Sequence, residues 1–424
     1  MMAVMLISFI VFLLLGMPVA FAMAISGTLA LLGLDNVSWI LVPQRMFLAL
    51  NSFPFLAIPL FVLAGELMNT GGITNRIVNF SNSLLRQFRG GLAYVNVVTN
   101  MIMAGFSGSA TADAVAIGSI MIPSMVDDGY PPEFATGLTA SASCIGPIIP
   151  PSISMVMYGA ITGLSIGSMF LGGIVPGLLI GLGLMLIVWL NARRYKWKKS
   201  ERASLKEILS TFKEAVWALI APVLILGGIM SGITTATEAG VVSVVYALFV
   251  GLFIYKGFTI KQIPGILAKA GLSAAVPSMI ISCAAVFGWI LARENFATVI
   301  TDTFMGVSTN PNVLMFMVIL MLFIIGLFVD GSVALIVFSP ILFPIGNQLG
   351  FDPIHFALII VITILIGTVT PPVGLQLYIA AAIAKLPISK VYIWPFVAVM
   401  MAVLFLVAYV PSLITYIPYL VFGS

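Results

Sequence analysis

Charge is what this chain has least of. Only 8% of its 424 residues are Asp, Glu, Lys or Arg, where a soluble domain uses about 25% to cover its surface. Water is therefore not its main solvent. There is one histidine and there are two cysteines, with no cluster of either, so the usual transition-metal centres are excluded. Cys144 and Cys283 both fall inside apolar segments and read as small buried hydrophobes. His355 stands beside a loop with no nucleophile near it in sequence, which removes the ordinary basis for a membrane hydrolase. The net charge of +4 is spread over short loops rather than along a stripe, so it does not point to nucleic acid. The first apolar run, Met1 to Leu34, lacks a basic leader and an obvious small-residue cleavage site. It reads as a retained span and not a signal peptide.

What the chain does have is 61% hydrophobic residues, in runs of about 20 that match the thickness of a bilayer core. The runs are continuous rather than alternating, so they are helices and not barrel strands. The expected fold class is an all-α polytopic membrane protein.

Glycines and prolines expose an internal repeat. Sliding the chain against itself by 221 residues sets Gly105 on Gly326, Pro123 on Pro344 and Gly129 on Gly350. The same shift sets Pro132 on Pro353, Gly146 on Gly367 and Pro150-Pro151 on Pro371-Pro372. Each half then predicts a re-entrant hairpin followed by a broken helix. The first hairpin covers about 91–127 with its tip at Gly105 to Ser109, and the break is at Gly146 to Pro151. The second hairpin covers about 311–347 with its tip at Gly326 to Ser332, and the break is at Gly367 to Pro372.

The basic residues orient the chain. Arg193, Arg194, Lys196, Lys198, Lys199, Arg202 and Lys206 lie between the halves. Taking that linker as cytoplasmic gives spans at about 4–33, 53–71, 133–162, 168–192, 214–232, 237–256, 270–292, 354–384 and 389–420. Of the 18 basic residues only Arg45 and Arg293 then fall outside, as the positive-inside rule requires. The linking span near 214–232 turns the second half over, which makes the repeat inverted. The stretch Thr74 to Arg89 is amphipathic and reads as an interfacial helix, either a brace between moving and fixed parts or a surface anchor.

Two mid-membrane breaks, each facing a hairpin tip, point to a carrier. In hydrocarbon an unpaired backbone group costs several kcal/mol, so a break survives only in protein or against a wet cavity. Unwound carbonyls are hard ligands for a small cation such as sodium, and half-helix N-termini suit a carboxylate. Hydroxyls stand at both places, in Ser107 to Thr111 and at Thr368 and Thr370, although such residues also serve close helix packing. Four acids, Glu66, Asp113, Glu238 and Asp330, lie in or beside apolar segments, with no Lys or Arg at matching depth. Asp113 and Asp330 stand close to the two tips, where each can bind an ion, order a tip or carry a proton. Glu238 has the spacing of a helix cap. A channel would need a charged ring or a repeated filter loop, and neither is present. A proton-coupled carrier would depend on Asp113 or another buried acid.

Four segments carry a resemblance to a family. They are Ser107-Gly-Ser-Ala-Thr-Ala-Asp113, Gly146 with Pro150-Pro151-Ser152, Thr234-Thr-Ala-Thr-Glu238 and Gly367-Thr-Val-Thr-Pro-Pro-Val-Gly374. Together they resemble the large membrane subunit of tripartite ATP-independent periplasmic (TRAP) transporters, over essentially the whole chain. One departure is Ala236, where the family more often has proline. The resemblance implies an elevator mechanism, with a transport domain moving against a scaffold. On this chain the scaffold would take 1–90, 166–292 and 387–424. The transport domain would take 91–165 and 293–386. The resemblance further implies Na+ as coupling ion, with one site at Ser107, Gly146, Ile149 and Pro151. The other would lie at Gly326, Gly367, Thr370 and Val373, and Ser107, Ser109, Thr111 and Thr368 would meet the substrate. It implies a small carboxylate substrate such as a C4-dicarboxylate or a sialic acid. The expected partners are a separate four-helix membrane subunit, a periplasmic binding protein and the lipid bilayer, at the bacterial inner membrane, and no nucleic acid.

Overall fold

The structure, a computed structural model, describes residues 1–32, 38–195, 197 and 199–423. The end of the expected first span at 33, and Lys196 and Lys198 of the basic linker, lie outside the described residues. The described residues form helices throughout. Helices α1 (Met2–Leu14) and α2 (Val19–Leu31) are followed by α3 (Leu41–Leu50), α4 (Ala57–Thr70) and α5 (Ile73–Leu85). The first hairpin is α6 (Gly91–Ser107) and α7 (Ala110–Asp127), and the first broken helix is α8 (Pro132–Ser143) and α9 (Ile153–Thr162). Then come α10 (Ile166–Arg194), α11 (Leu205–Met230), α12 (Ala236–Phe249), α13 (Ile263–Arg293) and α14 (Phe296–Val307). The second hairpin is α15 (Pro311–Gly326) and α16 (Gly331–Gln348), and the second broken helix is α17 (Pro353–Gly367) and α18 (Leu375–Ala384). Helices α19 (Trp394–Tyr409) and α20 (Ser412–Phe422) close the chain.

Among the described residues six helices are long and apolar enough to cross a bilayer alone, and two bent pairs reach that length together. The hairpin arms have 16 to 18 residues, about 24–27 Å at 1.5 Å per residue, and their tips end against the helix breaks.

Several expected spans are rebuilt. The run 4–33 is a helical hairpin, not one span. The Phe9 ring lies 5.2 Å from Phe287, while a Cβ on Gly27 would meet Val286 Cγ1 at 3.1 Å. A straight helix would hold residues 9 and 27 about 27 Å apart, yet they meet neighbouring residues of α13. The turn is local chemistry. Gly16 takes φ +80° and Pro18 cannot continue the ladder of α1. The span expected at 53–71 begins earlier, as α3 bent by 62° onto the segment ending in α4. The last span is α19 and α20, bent by 55° at Val410-Pro411.

The repeat reaches further than the punctuation showed. Under the 221-residue shift α2 falls on α12 and α4 on α13. The packing of α12 along α4 and of α13 along α2 is therefore one contact seen from both halves. The expected linking span, here α11, runs into this repeated unit instead of standing outside it. At the centre, Cys144 Sγ donates to Leu365 O at 3.5 Å. These residues are exact mates under the shift and meet where the two halves cross. Helix α18 packs on α7 as α9 packs on α16, the exchange expected of an inverted pair.

The stretch expected to be an interfacial helix forms α5, which is strapped to α11. Ser83 Oγ lies 2.9 Å from Thr211 Oγ1, and the Arg86 guanidinium forks onto Glu207 at 2.6 and 2.8 Å. Glu66 corrects the expectation that no cation matches the membrane acids. Lys269 Nζ reaches its carboxylate at 2.8 Å from a largely exposed position, the flexible stem spanning the difference in depth. Arg45 and Arg293, the two basic residues assigned to the other side, both lie over the Trp289 ring, at 5.6 and 5.4 Å.

Candidate functional site: four helix N-termini around one pocket

The second arm of each hairpin starts with a side-chain cap. At the first tip Ser109 caps α7, its Oγ accepting from Ala112 N at 3.4 Å. At the second, Asp330 caps α16, accepting from Ser332 N at 2.9 Å and Val333 N at 3.3 Å. These two caps are mates under the shift. The breaks supply two further starts. Ser152 caps α9, accepting from Met155 N at 3.1 Å, and α18 starts after Gly374 at φ +54°. Residues from all four starts line one pocket of about 50 Å³, room for a few water molecules. Ala110 and Thr111 come from α7, Ile153 and Ser154 from α9, Gly331 and Ser332 from α16, and Gln376 from α18. Each N-terminus brings the positive end of its dipole, which favours an anion such as a carboxylate, although several first-turn N–H groups are already capped and the Asp330 carboxylate lies on the same wall.

Of the residues expected to meet substrate, Ser109 and Thr111 line this pocket. Ser107 and Thr368 do not. Thr368 is buried and its hydroxyl donates to Leu365 O at 2.7 Å, while its methyl lies beneath Gly331. Gln376, Ser154 and Ser332 line the pocket and were not foreseen. Gln376 is buried, with its Oε1 lacking a hydrogen-bond partner. The available signal was the shift itself, since Gln376 falls on Met155 and is a polar departure from the repeat.

Below the first tip lies the one carboxylate buried without a hydrogen-bond partner among the described residues. Asp113 is 0% exposed and neither carboxylate oxygen has a hydrogen-bond partner. A Cβ on Gly146 would collide with Asp113 Oδ2, so the carboxylate rests directly on the break. The tip is docked there too: Ile153 N donates to Gly108 O at 3.3 Å, and a Cβ on Gly108 would lie 2.5 Å from Pro151 O. Gly146 is thus placed against Asp113, and Pro151 against the tip at Gly108, next to Ser107. Ile149 sends its side chain the other way, against Gly177 of α10.

The second tip meets its break backbone to backbone. A Cβ on Gly367 would stand 2.6 Å from Gly326 Cα, so only glycine permits this crossing. Thr370 is buried and its hydroxyl donates to Ile366 O at 2.8 Å, leaving its oxygen able to accept. Val373 is partly exposed on the same loop. Glu238 lies far from both places in a capping box with Thr235, accepting from Thr235 N at 2.8 Å. His355 hydrogen-bonds Val407 O at 2.9 Å, a packing role.

Paired hairpins and broken helices around a shared central pocket define an inverted-repeat membrane transporter. The sequence profile described as "Tripartite ATP-independent periplasmic transporter, DctM component" matches residues 6–413, and the chain belongs to that family. It is 38% identical over 411 residues to the sialic acid TRAP transporter large permease protein SiaM of Vibrio cholerae, covering 96% of each. It is 39% identical to the C4-dicarboxylate large permease protein DctM of the same species, covering 96% of this chain and 95% of that one. The 2,3-diketo-L-gulonate large permease protein YiaN of Escherichia coli is 36% identical, with 94% and 95% covered. Among solved structures, the Alcanivorax borkumensis YdaH transporter shares the fold at 12% identity, with a TM-score of 0.64 over 90% of this chain and 89% of that one. The protein is a transporter permease and not an enzyme.

Proposed function

We propose that the protein is the large permease of a sodium-coupled system taking up a small organic acid across the bacterial inner membrane. The observation that carries this reading is the convergence of four helix N-termini on one pocket beside a buried, unpartnered carboxylate. The N-termini supply the attraction for a carboxylate, and Asp113 with the carbonyls of the first break supplies hard oxygen ligands for a cation. An uncompensated buried carboxylate is strongly unfavourable, so a cation entering there is favoured. At the second site the ends of α15 and α17, at Gly326 and Gly367, and the unwound loop, at Thr370 and Val373, offer carbonyl oxygens. Sodium is cargo in this scheme: it crosses with the substrate and resides at neither site.

The relatives named for sialic acid, C4-dicarboxylates and diketogulonate are nearly equal in identity to this chain. All three of those names describe organic acids, which supports the class of substrate and does not select a member. The family reading brings a small membrane subunit and a periplasmic binding protein as partners, and an elevator motion of the hairpins and broken helices against the remaining helices. The basic linker faces the cytoplasm.

The test is the unfolding temperature of the purified chain against sodium, with choline holding ionic strength constant. Ligand binding to the folded state stabilises by about 2.7 kcal/mol at a hundredfold excess over Kd. A saturable rise specific to sodium is expected. A rise with falling pH at fixed sodium, and none with sodium, would move the coupling to a proton on Asp113.

A further inference from the structure

Away from the tips, three cations meet without an acid. Arg89 between α5 and α6, Arg193 in the last turn of α10 and Lys199 in the linker beyond it line a pocket of about 280 Å³. Phe88, Tyr94 and Trp189 complete most of its wall. None of the lining residues is acidic. Among the described residues, none of the three cations has a carboxylate within 4.0 Å, whereas neighbouring Arg86 is neutralised by Glu207. An uncompensated cluster of this kind favours an anion.

The pocket is built, not accidental. Trp197 anchors the linker, its ring 4.5 Å from Tyr130 and 4.8 Å from Phe134. On the far side of Lys199, Ser200 N donates to Arg86 O at 3.3 Å and Arg86 Nε donates to Glu201 O at 2.9 Å. The backbone is therefore fastened on both sides of Lys199. The Arg193 guanidinium lies flat over Trp189, 3.8 Å from the ring centre, which fixes its direction.

A second observation says what kind of anion fits. Leu178, Leu182, Leu186 and Leu190 are all exposed along α10, and their spacing of four places them on one face. That apolar column leads up to Trp189 and Arg193, where the helix passes from apolar to charged sequence. A ligand matching both parts has a phosphate at one end and a hydrocarbon tail at the other.

We propose that this pocket holds the headgroup of an anionic phospholipid, with an acyl chain lying along the exposed leucine face of α10. Three cations exceed the single phosphate charge that a zwitterionic lipid offers, since its own ammonium cancels that charge. An anionic lipid is therefore selected. The bound lipid joins the start of α6 to the end of α10, and its presence does not depend on which acid is transported.

The experiment titrates the delipidated chain in detergent with phosphatidylglycerol, phosphatidylcholine or glycerol 3-phosphate and follows the unfolding temperature, with native mass spectrometry counting bound lipid. A saturable rise with phosphatidylglycerol alone is expected. The double variant Arg89→Gln/Arg193→Gln should bind it roughly 25-fold more weakly, at about fivefold per basic side chain near a membrane surface. Lys261→Gln, an exposed cation elsewhere, should bind as the unaltered chain does. Should the double variant not fold, Lys199→Gln is titrated in its place and should weaken binding about fivefold. An equal response to phosphatidylcholine, or undiminished binding in the pocket variants, would overturn the proposal. So would glycerol 3-phosphate acting as strongly as the lipid, which would make this a site for a soluble phosphate.

Discussion

The two halves of the repeat place the same backbone around the same pocket and distribute charge over it differently. In the first half the tip residue Ser109 is neutral and the acid, Asp113, sits one turn into α7, buried against Gly146. In the second half the tip residue Asp330 is itself the acid and caps α16, while Ala334 stands where Asp113 would repeat. The first break therefore offers a carboxylate together with carbonyls, and the second offers carbonyls and the Thr370 hydroxyl. The space left by the absent carboxylate is closed by a direct crossing of Gly326 and Gly367. A repeat fixes geometry, and its departures show where the two sites have become unequal.

Six substitutions break or sharpen that contrast. The largest effect is expected for Gly367→Ala, whose Cβ would enter the Gly326 backbone at 2.6 Å. Because backbone cannot step aside, we expect a loss of about 3 kcal/mol in stability and no transport in reconstituted vesicles. Gly146→Ala meets a side-chain carboxylate that can rotate, so its unfolding temperature should fall by less than half as much. Asp113→Asn comes next. It removes an uncompensated buried charge, so the sodium-free protein should become more stable while its sodium-dependent shift largely disappears. Asp330→Asn keeps a capping oxygen and should change stability by less than about 0.5 kcal/mol. If Asp330→Asn abolished the sodium response and Asp113→Asn did not, the contrast drawn here would be reversed. Thr370→Ala removes one hydrogen bond, worth about 1 kcal/mol. An intact sodium response would then assign the second site to carbonyls, and a lost one to the hydroxyl. Ser109→Ala loses a cap worth about 1 kcal/mol or less, read by thermal unfolding.

Much of the architecture was legible before any coordinates. Gly105, Pro123, Gly146 and Pro150-Pro151 each impose a backbone constraint that is strictly local, and their mates impose the same one 221 residues later. Tips, breaks and caps follow from such residues. The hairpin at α1 and α2 was not legible, although Gly16 and Pro18 mark it, because an apolar run is equally compatible with one span or a folded pair. The partner of Glu66 was hidden for a related reason. Depth read along the sequence ignores the reach of a lysine stem and the crossing of α13 beside α4.

The sequence by itself determined the solvent, the helical class, the repeat and the places where helices break, because composition and proline or glycine chemistry act residue by residue. Only the tertiary structure decided that four helix starts share one pocket, that Asp113 lies on Gly146 without a partner, and that Gln376 faces the pocket while Thr368 turns away. Those facts depend on how elements far apart in the chain are packed against one another. Periodicity in one helix does not encode which neighbour its face will meet.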